Sequence, residues 1–557
     1  MRERAIMRNR KESGGLVVKA ISGTYVVLLG WDVAKANEAG LLGIAIQRTD
    51  ETENETYWLR GMKIFPDAKP LPPGGTASSL EQPFQSFQWA DYSAKPGRKY
   101  TYTLTAMYGS PGALTPGASV TILIETEPED SGVHSVYFNR GAIASQEYAR
   151  RFQDRAPNEV GQAAYDWLSR GLFEAITGFI AKATDGTFGI RVAMYEFQWA
   201  GVLQALKSAA DRGANVQVVY DAINNAKEDP VRRNDEAIDG ANIRALCRGF
   251  TNGRIMHNKF IVLLKDEKPV EVLTGSTNWT ENGIFGHLNC AHVVSDPAVS
   301  RAYLDYWTQL SENPDTAVMR SWDDDNAPAP SNPPEDGVSK VFSPQKGVAT
   351  LQRYSQIAGS ANGALFMTFA FGMNQDFLKL YKQDGEVLRF ALMDKEGAGR
   401  NLDQAKQDIE SLRAVKSTVV AIGQNVTLNR FDRWLKERDG LPSGEFVRWV
   451  HTKFMLVDPL SDDPIVVTGS GNFSADSVES NHENMLVIRG SQRVADIYLT
   501  EFMRQFSSYA FRDAVFDAIS AGNKEFQPQF LATDSMWINR YSESGSAGAL
   551  RRAYFSK

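Results

Sequence analysis

Two stretches of the chain repeat one pattern of polar residues at matched spacing. Residues 257–278 read HNKFIVLLKDEKPVEVLTGSTN, and residues 451–472 read HTKFMLVDPLSDDPIVVTGSGN. In each copy a histidine leads a lysine by two residues, and the interval from that histidine to the glycine of a Gly-Ser turn is the same. An internal repeat of this kind indicates a duplicated structural unit. The copies therefore predict two similar halves whose motifs could form one site.

The residues around each motif alternate between apolar strands and amphipathic helices. In the first half, RVAMYEFQW and VQVVYDA are predicted strands separated by the predicted helix GVLQALKSAADRG. The second half repeats this order with the strands ALFMTFAFGM and VLRFALMD. Such alternation predicts an α/β fold in each half, with a mostly parallel sheet covered by helices on both faces.

The N-terminal part reads as all-β. About seven short runs rich in β-branched and aromatic residues, separated by Gly and Pro turns, predict a two-sheet sandwich. Trp31 and the alternating pair Tyr100 and Tyr102 resemble a fibronectin type III domain. That resemblance implies spacing, docking or covering of the enzyme rather than catalysis.

Changes in composition divide the chain into four segments: a β-sandwich at 1–128, a first half at 133–321, a linker at 322–337, and a second half with its tail at 338–557. The linker is rich in Pro and Asp, so no compact element is expected in it. Residues 395–442 have no equivalent of that length in the first half and include a predicted helix. They are interpreted as a lid or substrate wall, or else as surface decoration. The tail after Ala521 is expected to pack onto the body, a free tail being the alternative.

Composition narrows the class of protein. The chain has 557 residues, of which 43% are hydrophobic and 23% are charged, as in soluble multidomain proteins. A net charge of -7 weighs against dedicated nucleic-acid binding. The two cysteines, Cys247 and Cys290, exclude a disulfide scaffold and are interpreted as buried free thiols. No signal peptide or transmembrane run is visible, so a cytoplasmic location is expected, with signal-independent export as the alternative.

The histidines and lysines of the two motifs suit a phosphate diester. Alternate residues of a strand share a face, so His257 lies beside Lys259 and His451 beside Lys453. Copies that face each other would gather two imidazoles and two ammoniums around one small volume. Because ammonium groups repel cations, we predict no catalytic metal.

The turns that end the motifs add polar groups to this site. The lysines and the amides of Asn278 and Asn472 can hold the non-bridging oxygens of a phosphate, and the hydroxyls of Ser276 and Ser470 can add hydrogen bonds. One imidazole can attack phosphorus to form a phosphohistidine, while the other protonates the leaving oxygen.

The two copies resemble the paired HxK(x)4D…GSxN signature of the phospholipase D superfamily. The second copy carries every residue of the signature: His451, Lys453, Asp458, Gly469, Ser470 and Asn472. The first copy carries all but the Asp: His257, Lys259, Gly275, Ser276 and Asn278. The resemblance implies two α/β halves with the active site between them. It also implies metal-free transfer of phosphatidyl or other phosphoryl groups to water or an alcohol.

The two copies differ in their carboxylates. The first lacks a counterpart of Asp458 and has Asn289 where the second has the acidic residue Glu483. A carboxylate bonded to an imidazole stabilises its protonated form, whereas an amide only orients the ring. We therefore predict that His451, supported by Asp458 and Glu483, shuttles protons. The resemblance implies that His257 is the nucleophile, and an inactive, half-degenerate site is the alternative.

The expected substrate is a phospholipid at a membrane or micelle surface, cleaved at its headgroup ester, with alcohol transfer as a further possibility. A nuclease on the same core is the alternative, disfavoured by the acidic net charge. A third hypothesis makes the β-sandwich a binding module and the enzyme vestigial. No cofactor and no obligate protein partner are expected. Since one chain holds both motifs, a monomer can be active.

Overall fold

The fold is described by a computed structural model over residues 6–72, 75–141, 145–153, 155–223, 230–394, 402–423, 450–520 and 530–557. Its N-terminal strands are β1 (Arg8–Ser13), β2 (Leu16–Ser22), β3 (Val27–Val33), β4 (Gly43–Asp50), β5 (Glu55–Trp58), β6 (Arg60–Gly61), β7 (Ala77–Ser78), β8 (Gln88–Asp91), β9 (Lys99–Ser110) and β10 (Ala113–Glu125). Strands β1-β2-β3-β8 form one sheet and β10-β9-β4-β5 another. Trp31, Tyr100 and Tyr102 are fully buried in the core that these sheets share. The predicted all-β domain is confirmed.

The first half contains these elements in chain order: β11 (His134–Phe138), α1 (Ser145–Phe152), α2 (Pro157–Val160), α3 (Gln162–Ser169), α4 (Leu172–Ala181), β12 (Phe188–Met194), α5 (Ala200–Asp211), β13 (Asn215–Asp221), α6 (Pro230–Gly240), β14 (Cys247–Phe250), β15 (Ile255–Met256), β16 (Lys259–Lys265), β17 (Lys268–Gly275), β18 (Cys290–Val294) and α7 (Pro297–Ser311). Its sheet has the strand order β11-β18-β17-β16-β12-β13-β14. A π-helical turn, Asn282–Gly286, lies between β17 and β18.

The second half follows with α8 (Thr316–Asn326), β19 (Gly337–Ser343), α9 (Ala349–Gly359), β20 (Ala364–Phe369), α10 (Gln375–Tyr381), β21 (Leu388–Met393), α11 (Leu402–Arg413), β22 (Thr418–Ile422), β23 (Phe454–Val457), β24 (Ile465–Gly469), α12 (Ala475–Glu479), β25 (Asn481–Arg489), α13 (Gln492–Ser520) and α14 (Ala547–Ser556). Its sheet runs β15-β25-β24-β23-β20-β21-β22, with β19 also paired to β25. The order β25-β24-β23-β20-β21-β22 repeats β18-β17-β16-β12-β13-β14, which confirms two repeated α/β halves.

The expectation of mostly parallel sheets is wrong. In the first half only β12, β13 and β14 pair in parallel, and β16, β17 and β18 pair antiparallel. The reason is local: the motif strand β16 turns into β17 through Asp266 and Glu267, whose φ angles are +47° and +62°. A two-residue turn with both φ angles positive closes an antiparallel hairpin, whereas a parallel pair needs a long crossover.

The predicted linker at 322–337 is not free of compact structure. Its first five residues, 322–326, form the end of α8. That helix begins earlier because the Asp315 side chain caps it, accepting a hydrogen bond from the Val318 amide at 3.0 Å. It then continues through the acidic run, and Asp323 is fully buried.

Two further expectations have mixed outcomes. The helix predicted within 395–442 is confirmed as α11. Residues 395–401 and 424–442, and with them the proposed lid, lie outside the described residues. Cys290 is buried as expected, whereas Cys247, at the start of β14, is only partly buried.

Helix α13 holds the three parts of the chain together. Its buried Asp496 pairs with Arg8 of the sandwich at 2.8 Å, and its buried Glu501 pairs with Arg170 of the first half. Apolar residues of the sandwich, such as Leu28, share one hydrophobic cluster with both halves. In the described part of the chain, no helix combines the length and apolarity that crossing a membrane would need.

The C-terminal tail packs onto the body, as expected for its described residues 530–557. Phe555 of α14 is fully buried, and its carbonyl lies so close to Gly30 of β3 that a Cβ there would be 2.0 Å from it. We expect Phe555→Ala to lower the free energy of unfolding by about 3–5 kcal/mol, the usual effect of emptying a buried Phe site. Urea denaturation measures this. Met536→Ala is the matched control, since Met536 is 67% exposed, and equal effects of the two changes would contradict the packing role.

Candidate active site

The two motif histidines are placed by strand pairing between the halves. Strand β15 leaves its own half and pairs in parallel with β25 of the other, joining Met256 to His482. The next residues on the two strands are His257 and Glu483. The second copy shows the same arrangement, where the His451 amide donates to the Leu288 carbonyl at 3.1 Å. Each histidine therefore lies next to a residue from the other half of the chain, His257 next to Glu483 and His451 next to Asn289.

His257 is bonded to a carboxylate of the other half. Its Nδ1 lies 2.8 Å from Oε2 of Glu483, and both side chains are buried. The other oxygen, Oε1, accepts from the Ser477 hydroxyl at 2.7 Å. Because a carboxylate only accepts, Nδ1 carries the proton and the lone pair of the neutral ring lies on Nε2. Glu483 thus gives His257 a fixed tautomer and a nearby negative charge.

His451 is bonded to an amide instead. Its Nδ1 lies 2.8 Å from Oδ1 of Asn289. The amide cannot turn over, because its Nδ2 donates to the Gly283 carbonyl at 2.7 Å and its Oδ1 also accepts from the Ser276 hydroxyl at 2.8 Å. This partner orients the ring but supplies no charge.

The prediction that Glu483 supports His451 is therefore wrong, and so is the corresponding role of Asp458. Aligning the copies along the chain suggested that each acidic residue serves its own motif, whereas β15 and β25 exchange the partners between halves. Asp458 lies at the far end of β23, where it accepts from the amides of Asn362, Gly363 and Ala364 at 2.7–2.8 Å. It closes a loop and takes no part in the histidine pairs.

The two lysines are arranged alike. Lys259 Nζ donates to the His257 carbonyl at 2.7 Å, and Lys453 Nζ donates to the His451 carbonyl at 2.6 Å. Both side chains are buried. Burial lowers the pKa of Lys259 to about 8 even though Glu483, Glu196 and Asp221 raise it. Burial and then the charge of Lys259 hold the pKa of Lys453 well below its usual value. Two buried ammonium groups next to the motif histidines offer a place for a phosphate anion to bind.

The serine hydroxyls do not face that space, contrary to expectation. The Ser276 hydroxyl accepts from the Cys290 amide at 3.1 Å, and the Ser470 hydroxyl accepts from the Asn484 amide at 3.0 Å. Both serines are fully buried. The turns can pack directly against β18 and β25 because they contain glycine. A Cβ on Gly275 would lie 2.2 Å from the Cys290 carbonyl oxygen. The serines stabilise the turns, and Ser276 also holds Asn289.

The turn amides are unequal. The Asn278 amide Nδ2 donates to Glu196 Oε2 at 2.5 Å. In the second half the backbone amide of Asn472 donates to the Ser477 hydroxyl at 2.9 Å. The side-chain oxygens of both asparagines are buried without a hydrogen-bond donor from the described residues. Of the two side-chain amides, Asn278 is the one fixed by a charged neighbour.

Three carboxylates at the site were not predicted. Asp221 accepts from the Met256 amide at 3.1 Å, and Asp394 accepts from the Val450 amide at 2.9 Å. Each fixes the peptide just before a motif histidine. A signal for this pair existed, because an Asp is the last residue of VLRFALMD and the last but one of VQVVYDA. Glu196 has no equivalent in the second half, so the repeat gave no signal for it.

The pKa values predict the pH dependence of a reaction that uses the lone pair of His257. Burial lowers the pKa of His257 to about 4, and Glu483 only partly opposes this. The neutral ring is present above that pKa, so kcat/KM should stay level from pH 7 to about pH 5 and fall only below it. A pH profile with bis(p-nitrophenyl) phosphate measures this, with circular dichroism at each pH as the control for folding. An acid limb centred near pH 6.5 would contradict the prediction.

Comparisons with known proteins agree with this geometry. Residues 177–310 and 404–506 match the family described as cardiolipin synthase, PLD-like domain. No curated protein sequence matches the chain.

Solved structures resemble the chain only in part. Nuc from Salmonella typhimurium, a phospholipase D family member, is 26% identical over 25% of this chain and 86% of its own, with a TM-score of 0.21. Phosphatidylserine synthase from Haemophilus influenzae is 12% identical over 70% and 94%, with a TM-score of 0.42. Polyphosphate kinase from Porphyromonas gingivalis is 13% identical over 58% of this chain, with a TM-score of 0.34, and the chain spans 46% of that protein. These likenesses say nothing about substrate.

Proposed function

We propose that this chain, whose two α/β halves belong to the phospholipase D superfamily, is a phosphodiesterase that hydrolyses the headgroup esters of phospholipids. The observation that carries the proposal is the pair of buried imidazoles with unequal partners, a carboxylate on His257 and an amide on His451. Two rings in equivalent positions but with different partners suit two different tasks.

In the first step, Nε2 of His257 attacks phosphorus and the bond from phosphorus to the leaving oxygen breaks. Glu483 stabilises the positive charge that grows on the His257 ring. His451 donates its proton to the leaving oxygen, so the alcohol departs neutral. In the free site, burial and the two lysines hold the pKa of His451 well below its usual value. The phosphate anion offsets the charge of those lysines, which raises the pKa of His451 towards the protonated form that this step needs.

In the second step, the now neutral His451 takes a proton from water while the water oxygen attacks phosphorus. The bond from phosphorus to Nε2 of His257 breaks, and both rings return to their starting state. An alcohol in place of water gives the transfer product. Lys259, Lys453 and the amides of Asn278 and Asn472 hold the non-bridging oxygens, whose charge grows in both transition states.

A lipid substrate is supported by the surroundings of the second-half amide. A cavity of about 380 Å³ lies beside Asn472. Its walls include the apolar side chains of Phe371, Met373, Met393 and Phe473 together with polar groups such as Gln404 and Asp408. The chain also carries a net charge of -7, which disfavours long contacts with nucleic acid. Nucleic acid remains the alternative substrate of the same reaction.

Product analysis tests the proposal. Vesicles of phosphatidylcholine, vesicles of phosphatidylglycerol and plasmid DNA are each incubated with the wild type, His257→Ala and His451→Ala. We expect release of the lipid headgroup by the wild type, its loss in His257→Ala and severe slowing in His451→Ala. Cleavage of DNA without lipid turnover would overturn the lipid reading.

Catalysis without a metal is a separate prediction. The described residues contain no group of three or more His, Cys, Asp or Glu side chains that could hold an ion. We expect headgroup release to be unchanged in excess EDTA after dialysis. A loss of activity that Zn²⁺ or Ca²⁺ restores would contradict this.

A further inference from the structure

The walls of the two halves differ at one position beside the phosphate site. In the first half, Val192 of β12 pairs with Ile261 of β16. The equivalent pair in the second half is Met367 of β20 with Met455 of β23. Counting along both strands, Phe371 takes the place that Glu196 has in the first half. The repeat therefore has an acidic wall on one side and an apolar wall on the other.

Glu196 is held against the turn of the first motif. Its carbonyl accepts from the Trp279 amide at 2.9 Å, and its Oε2 accepts from Asn278 Nδ2 at 2.5 Å. The side chain is only partly buried. Among the described residues, Asn278 is the one that gives its carboxylate a hydrogen bond. Oε1 therefore remains available to a ligand bound between the lysines.

A carboxylate in this place works against the binding of an anion. Burial raises the pKa of Glu196, and the charge of Lys259 opposes this and favours the carboxylate. Setting aside Asp221 and Asp394, which bind backbone amides, the site has the ammoniums of its two lysines and the carboxylates of Glu483 and Glu196. With neutral imidazoles their net charge is zero at most, so a simple phosphate monoanion is not neutralised. A ligand that carries its own positive charge next to the phosphate has no net charge, so it does not need an excess of positive charge in the site.

The loop that continues from Glu196 is aromatic. The Trp199 ring lies 5.1 Å from Phe285 and 5.7 Å from Tyr165 between ring centroids. Trp199 lies three residues after Glu196 in the chain, and aromatic ring faces attract organic cations because they carry negative potential. The second half has Phe371 in place of this carboxylate.

We propose that Glu196 is a specificity-determining residue that selects phosphodiesters whose alcohol substituent carries a positive charge, as zwitterionic lipid headgroups do. The inference rests on the proposed function and narrows its substrate class. In the complex, Asn278 donates one amide proton to Glu196 and the other to the phosphate, which places the carboxylate beside the substituent on that phosphate. Polyanionic chains and anionic lipids are disfavoured by the same charge.

The test compares headgroup release from two lipid probes, vesicles of phosphatidylcholine and vesicles of phosphatidylglycerol, whose leaving alcohols are cationic and neutral respectively. We expect Glu196→Gln to lower kcat/KM for phosphatidylcholine about tenfold more than kcat/KM for phosphatidylglycerol, the effect of losing one charged contact. Glu196→Asp should keep part of the preference. Glu281→Gln is the matched control, since Glu281 lies three residues after Asn278 and its carboxylate accepts from the Tyr165 hydroxyl.

The outcomes separate the selectivity from the reaction itself. Equal losses of kcat/KM for both probes in Glu196→Gln would mean that Glu196 only positions Asn278. No loss for either probe would mean that Glu196 does not contact the substituent. Either result overturns the inference. If the wild type cleaved neither probe, the proposed reaction would be wrong. Calorimetry would then measure the dissociation constants of phosphorylcholine and inorganic phosphate. The inference predicts that Glu196→Gln prefers phosphorylcholine less than the wild type does.

Discussion

Replacing His257 by Ala is expected to lower kcat by about 10⁴-fold or more, because in the proposed mechanism it removes the atom that attacks phosphorus. Replacing His451 by Ala should have an effect that depends on the leaving group. An alkoxide needs a proton as it departs, so headgroup esters should slow by about 10²–10⁴-fold, the usual contribution of a general acid. The p-nitrophenolate anion departs without a proton, so the first step on a p-nitrophenyl ester should stay fast.

Pre-steady-state kinetics measures this difference. With His451→Ala and bis(p-nitrophenyl) phosphate, we expect a rapid burst of one p-nitrophenol per active site followed by slow turnover, since the second step lacks its base. His257→Ala should give no burst. The opposite assignment, with the burst retained in His257→Ala and lost in His451→Ala, would show that the roles are reversed.

The second large effect separates two acidic residues of the second half. Glu483→Gln should lower kcat by about 10³-fold, because His257 loses the charge that stabilises its protonated ring and the partner that fixes its tautomer. Asp458→Asn should leave kcat nearly unchanged. Asp458 accepts from three backbone amides, so its loss should instead lower the free energy of unfolding by about 1–3 kcal/mol.

Steady-state kinetics and urea denaturation of both variants test this contrast. The changes are matched, each converting a carboxylate to its amide in the same half of the chain. A large loss of kcat in Asp458→Asn with little loss in Glu483→Gln would contradict the pairing of His257 with Glu483.

Much of the site could be predicted because its residues recur at fixed spacing. The histidine, lysine and asparagine of each copy follow from strand alternation and from the turn that ends β17 and β24. The two halves follow from the repeat itself. The all-β domain follows from short alternating strands, which need no long-range information.

What could not be predicted depends on pairing between distant segments. The sequence aligns Glu483 with its own motif, and only the passage of β15 into the second-half sheet brings it to His257. Asp458 fits the signature, yet its strand points it at the loop before β20. The serines lie in the signature as well, but the close approach of the turn to the next strand uses their hydroxyls. Glu196 lies outside both motifs, where no spacing marks it.

The most direct test of the central claim is the site of the covalent intermediate. His451→Ala is mixed with bis(p-nitrophenyl) phosphate, quenched in alkali during the slow phase and digested for mass spectrometry. We predict a p-nitrophenyl phosphate adduct on the peptide that contains His257, in an amount equal to the burst. A peptide without the adduct, or an adduct on another residue in that variant, would contradict a mechanism in which His257 attacks phosphorus.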